Sequence, residues 1–124
     1  MGYEVKIYIV RKHRKIPMDT EGKCYASAIA MFDLHKWGPL TEFDIERLPI
    51  TDCCIYADDG DTEIIEDKYG DPIKEISVKE LLELLRIDQT SSKCIEGRLI
   101  EAALIQLMVY PDEANNIVCL PYAY

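Results

Sequence analysis

The sequence predicts an α+β domain: an antiparallel sheet with a long N-terminal hairpin and two C-terminal helices packed on one face. Three observations carry this expectation. Apolar residues alternate with period 2 near the start, an Asp-Gly turn separates two short β-type runs, and helical periodicity is confined to the chain after residue 77. At 124 residues and 14.3 kDa the chain has the length of one domain, 1–124. Apolar residues at 48% and charged ones at 30% suit a globular core and exclude collagen-like or wholly disordered readings.

Tyr3, Val5, Ile7 and Ile9 share one face of a run that reads as the first strand. Arg11-Lys12-His13-Arg14-Lys15 follows, and Pro17, Asp19 and Gly22 mark a loop. Residues 24–34 are open to two readings. Ala26, Ala28, Ala30 and Met31 favour helix by propensity, but a strand returning from the loop completes a hairpin with the basic run at its tip. The strand is the expectation. Thr41 to Pro49 is polar, with room for one helical turn, and Thr51 to Ala57 reads as a strand. Asp58-Asp59-Gly60-Asp61 then turns the chain, because Asp-Gly suits the positive φ of hairpin turns. Thr62 to Glu66 is the expected partner strand, Gly70 marks a further turn, and residues 72–76 can add a short edge strand.

Ser77 and Glu80 have capping-box spacing, and Val78, Leu81, Leu82 and Leu85 follow at i, i+3, i+4 and i+7. That predicts an amphipathic helix. A second helix is expected over 95–109, where apolar residues nearly encircle the axis. Such a helix has to be covered on most sides, by the fold or by a second copy, and a homodimer through it is the expectation. Pro111 stops it, residues 117–120 suit a last strand, and Pro-Tyr-Ala-Tyr at 121–124 has no evident role in folding.

Fourteen basic against twenty-three acidic residues leave a formal charge of -9. Residues 1–23 hold six basic and three acidic side chains, a net +3, and residues 24–124 hold eight and twenty, a net -12. A surface of that sign repels phosphates and anionic membranes, so direct nucleic-acid or membrane binding is not expected. The five cysteines (Cys24, Cys53, Cys54, Cys94, Cys119) are odd in number and lack C-x-x-C spacing, which reads as free thiols in a reducing compartment. With no signal-peptide core in the first residues, the expected location is cytoplasmic.

Two charged constellations are candidate sites. The basic tip, Arg11, Lys12, His13, Arg14 and Lys15, has the donors to hold an anion, or is simply a solvated turn. The acidic hairpin, Asp58, Asp59, Asp61, Glu63, Glu66 and Asp67, has carboxylates that alternate on a strand face at roughly 7 Å, comparable to phosphate spacing. It is a candidate mimic of nucleic acid, or an ordinary solvated hairpin. Placing Gly60 or Gly70 sixth in an EF-hand loop puts Ile55 or Ile65 first, so that calcium motif is excluded, and neither a metal nor a cofactor is expected. Nucleophilic catalysis would need Cys24 and His35 to meet, and no nucleophile elbow or phosphate loop is present. Eight tyrosines offer contact area for interfaces, base stacking or sheet packing.

The segments Tyr56-Ala57-Asp58-Asp59-Gly60 and Glu66-Asp67-Lys68-Tyr69-Gly70-Asp71-Pro72, with the opening Gly2 to Tyr8, resemble parts of small, uncharacterised proteins from phages and prophages of Gram-positive gut bacteria. The resemblance covers about a quarter of the chain and transfers no catalytic residue. It implies a context in which small acidic proteins inhibit or sequester host machinery, anti-CRISPR proteins among them. The functional expectation is a non-catalytic, phage-type inhibitor docking on a host protein with a basic surface. The alternatives are an oligomeric sponge for an anionic nucleotide and a small Cys/His hydrolase or transferase.

Overall fold

A computed structural model describes residues 4–12, 24–35, 42–56, 63–88 and 95–124. The fold is α+β. Strand β1 (Val5–Lys12) pairs antiparallel with β2 (Cys24–His35), which settles 24–34 as strand and forms the long N-terminal hairpin. After β2 come α1 (Glu42–Arg47), β3 (Cys53–Tyr56), β4 (Glu63–Ile64), β5 (Ile76–Ser77), α2 (Val78–Asp88), α3 (Ile95–Met108), α4 (Pro111–Ala114) and β6 (Ile117–Ala123). The sheet order is β4-β3-β2-β1-β6-β5. Pairing is antiparallel except between β2 and β3, which run parallel over Cys24–Tyr25 and Cys53–Cys54. The chain between those two strands passes through α1, and a crossover of that kind returns the chain in the same direction.

Odd and even residues of β1 and β6 point to opposite faces. Val5, Ile7, Ile9, Ile117 and Cys119 join a cluster with Ile45 of α1, Val78, Leu81, Leu82 and Leu85 of α2, and Ile100 and Leu104 of α3. Both long helices therefore cover one face, α2 over β5 and β6 and α3 over β2. The Ser77 hydroxyl accepts the Glu80 amide at 3.1 Å and caps α2. Val10 and Leu120 face the other way and pack with Cys53, Ile55 and Ile73. The described chain around that second face, 49–56 and 63–75, is folded on itself by the Ile50–Lys74 and Glu66–Pro72 bridges. We call it the arm.

Two expectations about the C-terminus change. Pro111 ends α3 but also opens α4, since a proline at the first helical position lacks only an amide that would go unpaired. Residues 121–124 are structural: β6 runs on to Ala123 beside β1. Glu4 and Tyr124 exchange backbone hydrogen bonds (3.4 and 2.9 Å), so alternate positions, Pro121 included, are non-hydrogen-bonded toward β1. On its other side β6 meets β5 only at Val118 and Cys119, so the missing amide of Pro121 breaks no ladder bond with either strand.

Candidate functional site

The acidic segment is flanked by β3 and β4, where Tyr56 and Ile55 pair with Glu63 and Ile64. Asp58, Asp59 and Asp61 lie outside the described residues. Among those described, β4 is only two residues long, so Glu63 and Glu66 do not extend one strand face: Glu66 sits at an isolated bridge, exposed. Asp67 has a different job from the one expected. Its carboxylate accepts the amides of Tyr69 (2.8 Å) and Asp71 (3.1 Å), and its backbone amide donates to the Asp71 carbonyl at 2.8 Å. An Asp that binds amides two and four residues on builds its own turn, and Gly70 closes that turn at φ 85°. The turn is then fastened to the end of β6: the Lys68 amide donates to the Ala123 carbonyl and the Tyr69 hydroxyl to the Tyr124 carbonyl, both at 3.2 Å. Glu66 and Asp71 remain exposed on this fastened turn.

The basic tip is split. Arg11 is exposed at the end of β1, and His13, Arg14 and Lys15 lie outside the described residues. Lys12 is not free to bind an external anion, because its ammonium stands 3.1 Å from Asp52 Oδ1 and 3.1 Å from Glu75 Oε2. The reason is positional: Lys12 is an even residue of β1, on the arm's side of the sheet. Partial burial alone would depress this amine, but hydrogen bonds to Asp52 and Glu75 outweigh it and hold the ammonium above its ordinary range. Thr51 completes the clasp. Its hydroxyl donates to Glu75 Oε2 at 2.8 Å and accepts the Cys53 amide at 3.0 Å.

Asp52, Cys53 and Glu75 bring three possible metal-ligand atoms within 4.8 Å of one another. The chemistry does not fit a metal. A cation there would have to displace the Lys12 ammonium, and burial pushes the Cys53 thiol up, away from the thiolate a metal needs. The cluster is an ion-paired clasp between β1 and the two ends of the arm.

Four tyrosines gather on the arm's face, which sequence reasoning missed. Tyr8 and Tyr122 meet edge to face, with centroids 6.3 Å apart at 89°. Lys6 lies 4.6 Å over the ring of Tyr124, whose hydroxyl donates to Asp33, and Tyr69 reaches the same terminus. Burial, with the neighbouring Asp33 and Glu4 carboxylates, raises the Tyr124 phenol above its ordinary value. The even spacing of Tyr8, Tyr122 and Tyr124 was the available signal, hidden by the proline between strand residues 120 and 122.

Cys24 and His35 open and close one continuous strand, so their backbones lie about 30 Å or more apart at ~3.3 Å per residue. The second arm of the hairpin does not fold back, and that strand cannot assemble the pair. Of the other thiols, Cys53 and Cys119 are free and buried, and burial pushes Cys119 up to about 12. Among the described residues no helix is long and apolar enough to cross a membrane. Compared with known families, curated proteins and solved structures, the chain matches none.

Proposed function

We propose that this chain is a non-catalytic binding protein, a phage-type inhibitor of the anti-CRISPR kind, acting in the host cytoplasm. In this reading the acidic hairpin of residues 56–66, with the Asp67 turn beside it, occupies the basic surface of a host protein that handles nucleic acid. The observation that carries it is the fastening of the arm. Its turn is built by Asp67 and tied to β6 through Lys68 and Tyr69, while Glu66 and Asp71 stay exposed. Carboxylates carried on a turn that is already tied down lose less entropy on docking, so more of their electrostatic attraction appears as affinity. The segment Asp58 to Asp71 adds weight, with seven carboxylates opposed only by Lys68.

The test is capture from host lysate with the triple variant Asp58→Lys, Asp59→Lys, Asp61→Lys as control. The native chain is expected to retain a nucleic-acid-binding protein that added duplex DNA displaces, and the triple variant to lose it. Equal retention by both proteins would remove the proposal.

A further inference from the structure

Helix α3 has two apolar faces, and the fold uses one. Gly97, Ile100 and Leu104 are buried against the sheet. Ile95, Leu99, Val109 and Tyr110 are 66, 55, 58 and 58 % exposed, and Ile105 and Met108 are 40 and 38 % exposed. Around a helix turning about 100° per residue, Ile95, Leu99 and Ile105 fall within about 60° of Ala102, and Val109 follows in the turn one residue past the end of α3. The buried residues lie about 140–160° from it.

The order of residues on this face names its occupant. Counted from Ala102, apolar side chains stand at -7 (Ile95), -3 (Leu99), +3 (Ile105) and +7 (Val109), and polar ones at -4 (Arg98) and +4 (Gln106). The pattern reads alike in both directions. A two-fold axis through Ala102 would lay one copy antiparallel on another, with Ile95 against Val109, Leu99 against Ile105 and Arg98 against Gln106. Isologous interfaces require that self-complementarity, and a partner of unrelated sequence does not. The small Ala102 at the crossing lets two helix axes approach to about 8 Å, and antiparallel helices also oppose their dipoles favourably.

Charge and area agree. Of the residues on this face only Arg98 is charged, in a chain of net charge -9, so the face suits an apolar partner rather than a basic one. Ile95, Leu99, Ile105 and Val109, exposed to this degree, amount to a few hundred Å², about half of the ~800 Å² per partner of a standard interface, and a rim with Arg98, Gln106 and Tyr110 supplies the rest. We infer that the outer face of α3 is a homodimer interface, two copies packed antiparallel about Ala102.

Sedimentation equilibrium of the full chain tests this together with site-specific cross-linking. The native protein is expected at twice 14.3 kDa at tens of µM. Dimerisation should strengthen with salt, because screening relieves repulsion between acidic bodies. Leu99→Glu, at an exposed position, should give a folded monomer. Ala102→Cys should form an inter-copy disulfide well beyond the native background, while Lys79→Cys on the outer side of α2 should not. A native monomer at 100 µM, a dimer untouched by Leu99→Glu, or equal cross-linking at positions 79 and 102 would each overturn the inference.

Discussion

On the helix face of the sheet, fourteen buried side chains form one continuous cluster among the described residues; on the arm face, five do. The first is closed by two long helices whose apolar stripes meet the strands. The second has fewer buried side chains and is held by the Lys12 clasp, the Asp67 turn and edge-to-face tyrosines. Apolar burial is non-directional and sums to large stabilisation, whereas hydrogen bonds and half-buried ion pairs fix geometry for little net energy. The helix face thus keeps the protein folded, and the arm face keeps a charged loop in place.

The largest expected effect breaks the first face. Leu85→Ala empties a fully buried site and should cost about 2–5 kcal/mol, read as a lower urea midpoint by every probe at once. Lys12→Met separates the two faces. It leaves Asp52 and Glu75 facing each other without their cation, and should cost about 1–3 kcal/mol. Amide exchange should accelerate at Thr51, Cys53 and Glu75 while α2 keeps its protection. Equal acceleration in α2 would mean that the arm is no separate unit. Ser77→Ala removes the α2 cap and should cost ~1 kcal/mol, confined to the helix face.

The smallest effect at neutral pH is the pH response itself. Folding raises the Cys119 thiol from 9.0 to about 12, so its contribution is fully present below pH 9 and fades as pH rises toward 12. Lys12 and Tyr124 are raised too and lose stabilisation in the same direction, above about pH 10. Stability should be flat from pH 6 to 8 with respect to these groups and fall above 9. Cys119→Ala should make the first part of that alkaline fall shallower.

The sheet was legible where patterns are local. Period-2 alternation placed β1, and the capping box at Ser77 placed α2, because both signals depend on neighbours within a few residues. Long-range partners left no such trace. Nothing near Lys12 in the chain points to Asp52 or Glu75, 40 and 63 residues away. Asp67 looked like one more surface carboxylate, since a side chain that builds a turn and one that meets solvent have the same sequence. The last strand was expected only over 117–120, because which side of Pro121 has a ladder partner depends on strands far away in the chain. The apolar ring of α3 was visible, but which half the fold buries and which it leaves exposed required the sheet beneath it.

Docking by charge is tested most directly by a salt titration of affinity. With the captured host protein purified, log Kd should rise steeply and linearly with log salt, and the slope should shrink when Asp58, Asp59 and Asp61 become lysine. An affinity indifferent to salt, or a slope unchanged by that reversal, would contradict it.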